Sequence, residues 1–169
     1  MIKFFLGIVV GVCLLGAGVY LLITGGAVSM ATSGKPFPME RKLAHQAINA
    51  SIGVHDQDTA LVEADETNLL AGAQSYLANG CTNCHGQPNK SEASMGKRLY
   101  PHAPALFPPS KGVTDDPVGT THWVVKNGIR FSGMPSFEGT LTDPQIWQVS
   151  QLLRNANQLP ASVQATLGK

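Results

Sequence analysis

Cysteine is scarce in this 169-residue chain: Cys13, Cys81 and Cys84 are the only three. That excludes a disulfide framework as the device that holds a small domain together. A basic cluster interleaved with aromatics is also missing, and the formal net charge is only +1, so the electrostatic footprint of a nucleic-acid-binding protein is absent. There are no internal repeats. From Phe4 to Ile23 no charged residue occurs at all.

That uncharged stretch is mostly Leu, Val, Ile, Phe, Gly and Ala. Twenty such residues make a helix of about 30 Å, the thickness of a bilayer core. Residues 1–24 are therefore read as a retained membrane anchor. The alternative is a cleaved signal peptide, for which Ser29-Met30-Ala31 offers a small-residue cleavage site. Either reading leads to export. Lys3 and the terminal amine flank one end while Lys35, Arg41 and Lys42 follow the other, so the positive-inside count does not decide the orientation.

The two close cysteines belong to Cys81-Thr-Asn-Cys84-His85, the attachment pattern of a c-type haem. A helical turn puts both sulfurs on one edge of a porphyrin, and His85 then lies under the iron as proximal ligand. A structural zinc site fails on ligand count, because Cys13 lies far upstream in an apolar run. A thioredoxin-like dithiol calls for a βαβ context, whereas Asn68 to Asn79 reads as a helix with no β-rich neighbour. A plain disulfide leaves His85 unexplained.

Between anchor and motif, residues 25–64 read as a tether. Thr24 to Pro38 is rich in Gly, Ser, Thr and Pro, and Gly53 to Ala64 is polar and irregular. Between them Leu43, Ala44, Ala47, Ile48 and Ile52 predict a short amphipathic helix over 41–52, with His45 a structural or solvated histidine. The compact domain spans 65–169. Asp65 is a candidate N-cap for a helix with Leu69, Leu70, Ala73, Tyr76 and Leu77 on its inner face, ending at Asn79-Gly80. Gly86 to Gly112 has little periodicity and would wrap a cofactor. Asp116-Pro117 predicts an N-cap followed by proline at the first helical position, with that helix running to Gly128. A capping box, Thr142-x-x-Gln145, opens the last helix, whose apolar face is Ile146, Val149, Leu152 and Leu153, with Trp147 at its edge. That helix breaks near Asn155.

An iron held by His85 has a second face. Met134, 49 residues downstream between Gly133 and Pro135, is the candidate sixth ligand, because its neighbours fix the backbone without crowding a ring edge. Met95 lacks that setting, and Met30 and Met39 belong to the tether. His102 and His122 are alternatives, read otherwise as surface or propionate-side residues.

In this order Cys81 to His85, Pro104-Ala-Leu106, Gly128-Ile129-Arg130, Gly133-Met134-Pro135 and the Trp147 helix resemble a class I c-type cytochrome. The chain is most similar to the membrane-anchored bacterial monohaem type, related to cytochrome c subunits of respiratory oxidases, over residues 65 to 157. The resemblance implies an all-α cytochrome c fold around one covalent haem c, preceded by the transmembrane helix. It implies that the first and last helices cross at Gly72 and Tyr76, faced by Trp147 and Leu152. Pro104 would accept the ring N–H of His85 through its carbonyl, and Leu106 would pack on the haem. Arg98, Lys97 and Arg130 are candidate partners of its propionates. The function expected is one-electron transfer without bond chemistry, so not an enzyme. The protein would be tethered to the inner membrane with its haem domain in the periplasm, between a quinol-oxidising complex or dehydrogenase and a terminal oxidase. Two alternatives stand beside it: a fixed haem c subunit of a larger membrane respiratory complex, and a haem enzyme or gas sensor with an open sixth position.

Overall fold

A computed structural model describes residues 1–90 and 93–168. The chain divides into two compact units, Met1–Leu43 and Ala44–Lys169. In the first, α1 (Ile2–Thr24) is one unbroken helix of 23 residues, about 35 Å long at the usual rise. It is long and apolar enough to cross a membrane, and Phe4, Leu14, Leu15 and Leu22 all stand exposed along it. An apolar helix that buries none of its side chains in protein is compatible with a membrane anchor. α2 (Glu40–Ile52) follows after a stretch without regular structure, and the division between the units falls inside it.

The second unit is all-α among the described residues. A short 3-10 turn (Gly53–His55) precedes α3 (Glu66–Ala78), α4 (Thr82–His85), α5 (Ser94–Arg98), α6 (Val118–Asn127), α7 (Asp143–Arg154) and α8 (Ala161–Leu167). The Asp65 carboxylate accepts the Asn68 N–H at 2.8 Å and so caps α3. At α7 the Thr142 N–H donates to Gln145 Oε1 at 2.9 Å, half of the reciprocal capping box.

α3 and α7 form the central pair. Leu69, Ala73 and Tyr76 from α3 meet Ile146, Val149, Leu152 and Leu153 from α7 in one core, joined by Leu106, Phe107 and Val125. The Tyr76 ring meets Phe107 edge-on at 5.4 Å. The two helices cross at Gly72, where an added Cβ would stand 2.3 Å from the Gln148 carbonyl oxygen. Trp147, expected to face this crossing, turns instead to α6 and stacks on His122 with ring centres 3.8 Å apart. Its indole N–H donates to Asp143, and that polar tip turns the ring toward α6.

Three further features depart from the sequence reading. Asp116 does not cap α6. Pro117 takes that position and the helix starts at Val118, because Asp116 closes a turn through its N–H to Val113. The stretch from Gly53 onward, expected as a free linker, packs on α6 and α7. Thr120 Oγ1 donates to Asp56 at 2.8 Å, His55 stacks on Trp123, and Gln151 donates to the Val62 carbonyl. α8 lies beyond the expected end of helix, and its Val163 and Leu167 are fully buried. Its signal was present in Pro160 followed by apolar residues at i+3 and i+7.

Candidate functional site

α3 delivers the cysteine pair. It ends in a Schellman motif: Gly80 takes φ +69°, the Cys81 N–H reaches back to the Tyr76 carbonyl at 3.2 Å, and the Gly80 N–H reaches that of Leu77. The chain turns at once into α4, where the His85 N–H donates to the Cys81 carbonyl at 2.9 Å. Cys81, Cys84 and His85 therefore share a single helical turn. Both thiols are free and partly exposed.

Gly86 ends that turn with φ +76°. Its carbonyl accepts the buried Tyr76 hydroxyl at 2.8 Å, which ties the cysteine turn to the core of α3. α5 presses on the same turn from outside: an added Cβ at Gly96 would lie 2.1 Å from the Cys84 carbonyl oxygen. Gly96 has no signal in the sequence, because its need for glycine arises from a contact with a segment twelve residues away, whereas Gly86 is required by its own left-handed backbone.

His85 is held twice by the loop that follows. Its Nδ1 donates to the Pro104 carbonyl at 2.8 Å, and its own carbonyl accepts the Leu106 N–H at 3.1 Å. With Nδ1 engaged, Nε2 is the ring nitrogen left for an electrophile. Burial holds the imidazole below its ordinary range against the raising effect of the Pro104 carbonyl, so the ring is neutral at pH 7. Burial also pushes the Cys81 thiol up to about 11 and raises the Tyr76 phenol far above its usual value.

Met134 is built onto α6. Gly128 ends that helix with φ +68°, and a Cβ there would lie 2.6 Å from the carbonyl carbon of Pro135. Chain 134–136 thus passes directly over the helix end. The Ile129 N–H donates to the Met134 carbonyl at 3.1 Å, and the Met134 N–H donates to Ser132 Oγ at 3.1 Å. Ser132 escaped the sequence reading, although a serine two residues ahead of a loop N–H is a known turn former. Met134 packs partly buried against the core cluster.

The remaining expected residues are placed as follows. Leu106 is buried in the core. Arg98 and Arg130 are exposed and form no ion pair among the described residues. Met95 is half exposed on α5, and His102 is exposed on its loop. His122 is neither a surface residue nor a free ligand. It is buried, its Nε2 lies 3.1 Å from the Asp143 carboxylate, and Trp147 covers its face.

Among the described residues no group of three or more His, Cys, Asp or Glu side chains is arranged to hold a bare metal ion. The donor set is instead two free thiols and one imidazole on a single turn, with a thioether on a separately braced loop. The two thiols and the imidazole on one turn fit the attachment of a haem c, with the thiols as attachment points and the imidazole as a nitrogen donor.

The sequence matches the family described as cytochrome C oxidase, cbb3-type, subunit III, over residues 67–153. That stretch is just over half of the chain and contains the cysteine turn, the Met134 loop and nearly all of α3 and α7. No curated protein and no solved structure matches the chain.

Proposed function

Because this chain belongs to the cbb3-type cytochrome c oxidase subunit III family and is a class I c-type cytochrome with a haem c electron-transfer role, we propose that it is a single-haem carrier with His85 and Met134 as axial ligands. Cys81 and Cys84 would hold the haem covalently. The group supplies a one-electron iron couple when bound. The chain's residues orient the donors: Pro104 fixes the His85 ring through Nδ1, and the α6 end fixes the Met134 backbone. Arg98 and Arg130, both exposed, are the candidate propionate partners. With His85 and Met134 both engaged, a haem held here would exchange electrons without an open position for oxygen, which argues against an enzyme or gas sensor.

The observation that carries this reading is the pair of independent braces, one for each axial donor. We expect a sulfur-to-iron charge-transfer band in the oxidised protein that Met134→Ala abolishes. Carbon monoxide binding to the reduced wild-type protein would overturn the assignment.

α1 would hold the protein in the inner membrane with residues 65–169 in the periplasm, taking electrons from a quinol-oxidising complex or dehydrogenase and passing them to a terminal oxidase. A fixed place in a larger membrane complex is the second reading, and the family favours it. Gly7, Gly11, Gly16 and Gly18 give α1 small faces, suited to close helix packing in a bilayer. Native sizing after mild detergent extraction separates the two: a particle far larger than chain plus micelle means a subunit.

A further inference from the structure

The Met134 loop contains one side chain that is hydrogen-bonded to the backbone of Met134 itself. Ser132 Oγ accepts the Met134 N–H at 3.1 Å and donates to the Ile129 carbonyl at 2.7 Å. The Ile129 N–H donates to the Met134 carbonyl at 3.1 Å, and the Ser132 N–H to the Ile129 carbonyl at 3.2 Å. Both backbone polar groups of Met134 are therefore bound to the four-residue turn 129–132, which springs directly from Gly128 at the end of α6. Within that turn the only side chain in the ring is the Ser132 hydroxyl. Phe131, at its tip, takes φ +58° and is 91% exposed, so no packing of its ring holds the turn in shape.

We propose that Ser132 is the positioning residue of the sixth ligand: its hydroxyl fixes the Met134 backbone so that the thioether outcompetes other donors for ferric iron. This rests on the reading of Met134 as axial ligand. A thioether is a neutral, soft donor, and oxidised iron prefers harder nitrogen and oxygen ligands. Its hold on the ferric state therefore depends on local concentration, which a rigid loop supplies and a loose one loses. Gly133 and Pro135 restrict the chain on either side, but neither supplies a hydrogen bond to Met134. Without the hydroxyl, the Met134 N–H and the Ile129 carbonyl each lose a partner, and the loop samples conformations in which sulfur has moved away.

The test is imidazole titration of oxidised holoprotein, followed by loss of the sulfur-to-iron band. Ser132→Ala should lower the half-displacing imidazole concentration by about thirtyfold, the effect of two hydrogen bonds of ordinary net strength. It should also lower the reduction potential, since the ferric form gains most from a replacement ligand. Ser132→Thr, which keeps the hydroxyl, should restore both. Equal imidazole midpoints for wild type and Ser132→Ala, each with an intact band, would overturn this inference alone. Absence of the band from wild type would overturn the ligand reading and the inference with it. Should Ser132→Ala fail to load haem, amide exchange in reduced wild-type holoprotein decides. A protected Met134 N–H beside an unprotected Gly133 N–H supports the proposal, and unprotected exchange at Met134 refutes it.

Discussion

Adding one methyl group at Gly72 should loosen the whole cytochrome unit. The new Cβ would stand 2.3 Å from the Gln148 oxygen, 2.7 Å from its carbonyl carbon and 3.2 Å from the Val149 nitrogen. All three are backbone atoms of α7, so no side chain can swing aside. Ordinary contact distance requires the helices to part by about 1 Å, and a gap of that size forfeits a quarter to a half of the dispersion energy of each facing pair. The facing pairs here are among the most buried in the protein: Leu69, Ala73 and Tyr76 against Val149, Leu152 and Leu153. Overpacking of this kind costs about 1–3 kcal/mol, with the upper end fitting a backbone obstacle. Alanine returns about 1 kcal/mol through helix propensity at position 72. The net loss should be about 2 kcal/mol, equivalent to a fall in Tm of roughly 8 °C for a domain of this size. Thermal unfolding of oxidised holoprotein, followed by far-ultraviolet circular dichroism, measures it. Gly53→Ala is the control, since nothing lies within 4 Å of a Cβ there. A Gly72→Ala protein that melts at or above the wild-type temperature would show that propensity outweighs contact and that the helices do not approach as closely as described.

The parts of the fold legible in the sequence are those set by local rules. Asp65, Asn79-Gly80 and the Thr142–Gln145 box mark helix ends because capping needs only residues a few positions apart. The CxxCH turn is legible for the same reason. What the sequence conceals is set by encounters between distant segments. Gly96 must be small because Cys84 lies against it, and Trp147 faces α6 because His122 and Asp143 receive it. Composition alone makes residues 53–64 look like a linker, because their polar groups are indistinguishable from solvated ones until Thr120 and Gln151 are seen to meet them. Asp116-Pro117 satisfied the N-cap rule equally well as a turn, and tertiary context chose the turn. α8 was overlooked for a different reason: seven residues fall below the length at which periodicity is persuasive.

The polar node between α6 and α7 should make the protein sensitive to mild acid. Burial lowers the His122 pKa more than Asp143 raises it, so the folded state binds this proton less readily than the unfolded chain. Stability is then full above the unfolded value of about 6.5 and declines as pH falls below it. Denaturant midpoints across pH 7.5 to 5 should fall for wild type and stay flatter for His122→Gln; parallel curves would remove His122 as the cause. The Asp143 carboxyl is held below its usual range, first by its hydrogen bond to Lys126. Asp143→Asn should therefore weaken the protein at neutral pH by a small amount, since the carboxylate is mostly solvated, and that difference should begin to shrink only below the unfolded value of about 3.9 and disappear as pH falls through the depressed value of the folded carboxyl. The last expectation concerns the strap that leads into the haem domain. An added Cβ at Gly119 would lie 2.3 Å from the His55 carbonyl oxygen and 2.8 Å from the Asp58 Cβ, so Gly119→Ala should lift residues 53–58 from α6 and break the Thr120–Asp56 bond. In wild type the unstructured chain between α1 and α2 is then only residues 25–39, with a root-mean-square reach of about 20 Å, against about 29 Å when residues 53–64 are freed as well. Since effective concentration falls roughly as the −3/2 power of tether length, docking the strap raises it about twofold at a nearby membrane partner. Limited proteolysis should cut wild type only within 25–39, whereas Gly119→Ala should gain a second cut within 53–64 while its haem spectrum is unchanged; identical fragments from both would mean that the strap is not held through Gly119.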